Sequence, residues 1–139
     1  MAAEPNPILI VEDDRDIAQS MAEVVRADGF GARVAGDGAE GLRRLREAPA
    51  PCCILLDLMM PVMTGWDFLE TLQDERPSLR DIPVLVVSAA HDPHLPEGVT
   101  LLPKPLDMDV LTDAIHRAVD GRARADRGAG ALGPAPKID

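Results

Sequence analysis

The sequence predicts an open, doubly wound α/β domain built on a five-stranded parallel sheet. Two observations carry that reading. Five short apolar runs are spaced along the chain, and the stretches between them switch to the spacing of amphipathic helices. Strands that are apolar throughout are buried on both faces, as in a parallel sheet covered by helices, and such sheets keep their ligands beyond the carboxyl ends of the strands.

Residues 7 to 12, PILIVE, are the first strand. Residues 15 to 28 follow as a helix with Ile17, Met21, Val24 and Val25 on one stripe and Gly29 as its stop. Ala32 to Ala35 is a brief second strand, and Asp37 with Glu40 three residues on resembles a capping box that opens a helix carrying Leu42 and Leu45. Pro49 and Pro51 close it. Cys52 to Leu56 is the third strand, after which Gly65 leads into a helix with Phe68, Leu69 and Leu72 inward. Pro83 to Ser88 and Val99 to Leu102 are the fourth and fifth strands. Asp107 caps a last helix that runs to about Asp120, its stripe formed by Val110, Leu111, Ala114, Ile115, Ala118 and Val119. Residues 1 to 121 form the domain. From 122 to 139 the chain is rich in Gly, Ala, Pro and Arg, lacks an apolar period and reads as a disordered tail.

At 139 residues the chain is one domain's worth, enough to hold a core without staples. Only 2% of it is aromatic, so that core must be aliphatic. The net charge is −10, and residues 1 to 121 hold 10 basic against 22 acidic side chains, or −12. Such a body repels nucleic-acid phosphate and attracts basic protein surfaces or cations. Cys52 and Cys53 are neighbours on a strand and point to opposite faces, so they read as reduced packing residues. The start has no basic region followed by a long apolar run, so neither signal peptide nor membrane span is expected and the protein reads as cytoplasmic.

The strand ends carry the chemistry. Glu12, Asp13 and Asp14 follow the first strand, Asp57 the third, Ser88 ends the fourth, and Lys104 lies just past the fifth. In a doubly wound sheet these converge on one crevice. Several carboxylates there repel one another unless a hard cation sits among them, and an oxygen set with room for waters suits Mg²⁺. Carboxylate, metal, hydroxyl and ammonium together suit phosphoryl transfer with the carboxylate as nucleophile. No P-loop and no G-x-G-x-x-G pattern is present, so the donor must come from elsewhere, and another protein is the expected source.

Taken in order, ILIVEDD, ILLDLMMPVMTGW, the strand ending VVSAA, and LLPKPL closely resemble the receiver domains of two-component response regulators, over roughly residues 6 to 120. The resemblance implies the flavodoxin-like (βα)5 fold of a single-domain, chemotaxis-type receiver. It implies Asp57 as phosphoacceptor from a histidine kinase or histidine phosphotransfer protein. Glu12 and Asp13 would hold Mg²⁺, Asp13 directly and Glu12 through water, with the Met59 carbonyl and Asp57 as further ligands. Ser88 would hydrogen-bond the phosphoryl group, Lys104 would pair with it, and the Lys104-Pro105 bond would be cis. A downstream protein target, a monomer or weak homodimer, and no direct contact with nucleic acid or membrane complete the expectation. Such a module is a switch rather than an enzyme, apart from its own phosphorylation and dephosphorylation.

Two positions depart from that pattern. Receivers often carry Tyr or Phe three residues before the lysine, whereas this chain has Leu101. The stretch between Ser88 and Lys104 is short and holds Pro93, Pro96 and Gly98, so the helix that receivers place there is expected to be short, distorted or missing. These departures keep a second reading open, a constitutive docking module whose phosphorylation site is little used. A Mg²⁺-dependent phosphatase is disfavoured, because Asp57-Leu58-Met59 lacks the second acidic residue two positions on.

Each of these residues also suits a blander role. Asp57 alone also suits a turn at a strand end, Ser88 a plain strand terminus, and Lys104 a solvated loop, and it is their conjunction that argues for a site. Asp14 reads as a helix cap, Met59, Met60 and Met63 as packing side chains, and Trp66 as a partly buried helix residue near the site. His91 and His94 lack a third and fourth metal ligand and read as solvated, as does His116.

Overall fold

Five strands pair in one parallel sheet in the order β2-β1-β3-β4-β5, with β1 at Pro7–Val11, β2 at Gly31–Ala35, β3 at Cys53–Leu56, β4 at Val84–Ser88 and β5 at Thr100–Pro103. This computed structural model describes residues 6–60, 62–89, 94–96 and 98–132, without the side chains of 122–132. The helices are α1 at Arg15–Ala27, α2 at Gly38–Leu45, α3 at Gly65–Leu72, the one-turn α4 at Pro77–Arg80, and α5 at Met108–Leu132. No helix among the described residues is long and apolar enough to cross a membrane.

The sheet forms because its central strands are buried on both sides. Ile8, Leu9, Ile10, Val11, Ile54, Leu55 and Leu56 are at most 1% exposed, and each such side chain contributes about 1.5 to 3 kcal/mol by leaving water. Alternate residues feed two cores. Leu9, Val11, Ile54, Leu56, Val84 and Val86 pack with α2 and α3 on one face. Ile8, Ile10, Leu55, Leu85 and Val87 pack with α1 and α5 on the other.

Local sequence chemistry sets the helix ends. The Asp14 side chain accepts from Asp16 N at 3.0 Å and Ile17 N at 3.1 Å, opening α1. Gly29, at φ +94, ends it: Gly29 N bonds Arg26 O at 3.1 Å and Phe30 N bonds Val25 O at 3.0 Å, the double turn that a left-handed residue permits. Asp37 caps α2 by accepting from Glu40 N, but Glu40 reaches back to Gly36 N at 2.8 Å rather than to Asp37 N, so the expected box closes one residue early. The complete box is at α3, where Thr64 and Asp67 bond each other's backbone N–H.

Two expectations are corrected, and a third residue, exposed as expected, gains partners. α5 continues beyond Asp120 to Leu132, so the segment read as a disordered tail is helical that far; the Ala and Arg residues after Gly121 are good helix formers, and the next proline is Pro134. Residues 133–139 lie outside the described residues. Val110, placed on the buried stripe of α5, is 48% exposed, whereas Leu111 and Ile115 are buried. His116 is half-exposed but engaged: its Nε2 lies 2.5 Å from Asp28 and its ring packs against Phe30, because the end of α1 passes beside α5. Between β4 and β5 none of the described residues is helical; the expectation of a short, distorted or missing helix falls largely on residues 90–93 and 97, outside the described residues.

Candidate functional site

Glu12, Asp57 and Lys104 each sit one step past a strand and are fixed there by one further ladder hydrogen bond, while Ser88 is the last residue of β4 and Asp13 follows Glu12. Glu12 N donates to Ala35 O at 3.0 Å, Asp57 N to Val11 O at 3.0 Å, and Lys104 N to Ser88 O at 2.9 Å. The sheet register thus places the ends of β1, β3, β4 and β5 side by side. Glu12 is 2% exposed, Asp57 5% and Ser88 0%, while Asp13 is exposed. Lys104 reaches across from beyond β5, its Nζ 3.2 Å from Glu12 Oε1 and 3.8 Å from Asp57 Oδ1.

Burying two carboxylates this closely is costly, and the site shows how the cost is met. Glu12 Oε2 accepts from Asp14 N at 3.0 Å and Asp57 Oδ1 from Met59 N at 3.3 Å. Burial nevertheless holds the Glu12 carboxyl above the usual carboxylate range, against the Asp14 N–H; the Asp57 charge adds to the rise and Lys104 opposes it. Burial likewise raises Asp57, opposed by Lys104 and the Met59 N–H and reinforced by the Asp13 charge. Glu12, Asp13 and Asp57 each offer a carboxylate oxygen, all within 4.8 Å of one another. Three carboxylates facing one ammonium leave negative charge uncompensated, and an all-oxygen donor set fits a hard divalent cation.

The structure therefore brings Glu12, Asp13, Asp57 and Lys104 together, with Ser88 at the end of β4, next to the Pro103 that precedes the lysine. The Lys104-Pro105 bond is cis. Met59 stands two residues after Asp57 with its side chain 63% exposed, not packed as read from sequence, whereas Met60 is buried and Met63 partly so. Asp14 caps α1, as its place before that helix predicts. His94 is exposed, and His91 and Asp92 lie outside the described residues.

The contribution of Gly65 is invisible to a reading of chemistry-bearing residues. Gly65 N bonds Leu58 O at 2.9 Å, and a methyl group on Gly65 would stand 2.5 Å from the Asp57 carbonyl oxygen and 2.6 Å from Leu58 Cα. Only glycine lets α3 start against the backbone of the Asp57 turn. The turn itself carries Val62 at φ +71, a conformation that a β-branched residue rarely adopts.

A family model described as response regulator receiver domain matches residues 8–116. The chain belongs to that family. Over 85 residues this receiver is 36% identical to the DNA-binding response regulator MtrA of Mycobacterium tuberculosis (strain ATCC 25618 / H37Rv), a match covering 61% of the receiver and 35% of MtrA. The receiver thus spans only part of that regulator's length. Among solved structures it is similar to the chemotaxis protein CheY4 of Vibrio cholerae, with TM-score 0.70 and 27% identity over 82% of the receiver and 98% of CheY4. It also resembles a sensor protein from Polaromonas sp. JS666, with TM-score 0.74 and 29% identity over 84% and 97% of the two chains. Residues 8–116 thus form a phosphorelay receiver domain, a signalling module.

Proposed function

We propose that this receiver accepts a phosphoryl group on Asp57 from a histidine kinase or histidine phosphotransfer protein, and signals to a downstream protein through the surface change that follows. The observation that supports this best is the Asp57 carboxylate held at the end of β3, 3.8 Å from the Lys104 ammonium and within 4.8 Å of the Glu12 and Asp13 carboxylates. An Asp57 oxygen attacks the phosphorus, the phosphorus–nitrogen bond of the donor histidine breaks, and the departing imidazole takes up a proton, leaving an acyl phosphate. Water later attacks that phosphorus and releases inorganic phosphate, restoring the carboxylate. Lys104 balances charge on the transferred oxygens, and the Ser88 hydroxyl donates to one of them. Glu12, Asp13, Asp57 and the Met59 carbonyl would hold Mg²⁺, Glu12 through water; bound there, the ion supplies the positive charge that neutralises the phosphoryl oxygens.

Incubation with Mg²⁺ and a small-molecule phosphodonor should add one phosphoryl group by intact-protein mass spectrometry, and Asp57→Asn should abolish it. Equal labelling of the Asp57→Asn protein, or none in the wild type, sinks the proposal.

A second reading, a constitutive docking module, draws support from Leu101 and from the lack of helix among the described residues between β4 and β5. It expects little phosphoryl incorporation and binding to a partner that Asp57→Asn leaves unchanged.

A further inference from the structure

We propose that Arg15 binds the phosphodonor, its guanidinium meeting the dianionic phosphoryl group as that group enters the cleft beside Glu12 and Asp13; this rests on Asp57 being the phosphoacceptor.

Three observations single out this side chain. Among the described residues Arg15 makes no ion pair or hydrogen bond through its guanidinium, whereas every other arginine of residues 1 to 121 makes at least one. Helical geometry explains why α1 offers it no partner. Asp14 and Asp16 are adjacent in sequence and so do not face it, and the positions three and four ahead hold Ala18 and Gln19. On α2 the Glu40 carboxylate is already engaged, by Gly36 N at 2.8 Å and by Arg43.

Arg15 also stands at the wrong end of its helix. It is the first residue of α1, which otherwise follows the helix dipole, with the Asp14 cap and Asp16 at the start and Arg26 in the last turn. A cation at the first position opposes the positive end of the dipole, so Arg15 weakens the helix that carries it. A residue that breaks a local rule and finds no partner in the fold points to a functional demand.

The third observation is where it stands. Arg15 and Gln19 line a cleft of about 470 Å³ together with Glu12, Asp13, Gly36 and Glu40. This cleft meets the carboxylate cluster from the β2 side, whereas Lys104 reaches the cluster from beyond β5. The net charge of −12 on residues 1 to 121 repels an incoming dianion. Lys104 is held by carboxylates already in the site, 3.2 Å from Glu12 and 3.8 Å from Asp57. Arg15 is uncommitted, and its planar fork matches two phosphoryl oxygens. The contact forms on entry and Arg15 gives and takes no proton, so it favours the encounter and leaves the transfer from nitrogen to Asp57 as described above.

Phosphoramidate tests this, because it carries a phosphorus–nitrogen bond as phosphohistidine does but no protein surface. At saturating Mg²⁺, with labelling followed by intact-protein mass spectrometry, Arg15→Ala should lower the second-order rate constant about ten-fold, the low end for a hydrogen bond to a charged group. Arg15→Lys, which keeps the charge and loses the fork, should recover part of that loss. The ratio of wild type to Arg15→Ala should shrink towards one as salt is raised. In urea denaturation the midpoint of Arg15→Ala should equal or exceed that of wild type, since a cation leaves the positive end of α1. A lower midpoint would give Arg15 a structural role and overturn the proposal. An unchanged rate constant overturns it as well, and confines any use of Arg15 to the surface of a protein donor; so does a ratio that salt does not alter. Each of these results leaves the Asp57 assignment standing as long as wild type is labelled and Asp57→Asn is not. Absence of labelling in wild type removes that assignment and the role of Arg15 with it.

Discussion

The two ends of one sheet face are covered in different ways. At the β2 end, α2 buries Leu42 and Leu45, and Arg33 on the strand locks the chain that leaves the helix, its guanidinium donating to the carbonyls of Arg44 at 2.9 Å, Glu47 at 3.3 Å and Pro49 at 2.9 Å. At the β5 end the described residues of the cover, 94–96, 98 and 99, form no helix or strand, Leu95 and Val99 are only partly buried, and the contacts are the Trp66 indole on His94 O and a turn from Val99 N to Pro96 O at 3.4 Å. The same fold thus concentrates stability beside β2 and leaves its conditional contacts beside β5. A signalling module needs both, since a surface that is to change must be drawn from the low-stability end of the molecule.

Removing the largest buried ring should damage the stable end most. Phe68 is 0% exposed, and a methyl group on Gly41 of α2 would stand 3.1 Å from it, so the ring fills the space between α2 and α3. Phe68→Ala should cost about 3 to 5 kcal/mol in urea denaturation. A loss below about 2 kcal/mol, outside the range for such truncations, would mean that this end repacks freely and is not the rigid one.

Next comes the Arg33 lock. Its side chain is 11% exposed and also lies 3.7 Å from Glu47. Arg33→Ala should cost about 2 kcal/mol, the sum of a few carbonyl hydrogen bonds. Arg33→Lys should recover little of this, because one ammonium cannot span three carbonyls that a planar fork reaches together. Full rescue by lysine would show that charge, not geometry, holds the turn. At the other end Leu95→Ala should cost only about 1 kcal/mol, as expected for a side chain that leaves water only in part. A loss as large as that of Phe68→Ala would erase the difference between the two ends.

The same contrast explains what the sequence made legible. The strands stood out because their apolar runs are unbroken, and the site because Glu12, Asp13, Asp57, Ser88 and Lys104 fall at strand ends, whose convergence follows from the sheet topology alone. What stayed hidden depends on tertiary neighbours. The α3 capping box uses Asp67 where Glu or Gln is the usual signal. His116 reads as solvated until the end of α1 is seen beside it, Val110 reads as core because periodicity does not reveal which helix faces lack a cover, and Met59 reads as packing because apolar character alone does not show that the turn after β3 faces outward there. The Trp66 bond joins residues far apart in sequence through a backbone carbonyl, which leaves no trace in side-chain identity.

The smallest effect expected is at the outermost tie of the stable end, where Arg46 after α2 meets Glu75 after α3 at 2.5 Å. The Arg46 hydrogen bond holds the Glu75 carboxyl below the usual carboxylate range. A depressed folded-state value means that the contribution is fully present above the unfolded-state pKa of about 4.3 and is lost as pH falls through the lower folded value. With Arg46 52% exposed, solvent screens the pair, and its worth stays below about 1 kcal/mol. Wild type should therefore exceed Glu75→Gln by that small margin at pH 7 in low salt and converge with it on acidification below pH ~4 or in high salt. A margin that grows as the pH falls would reverse the sign and remove this tie from the set that makes the β2 end the rigid one.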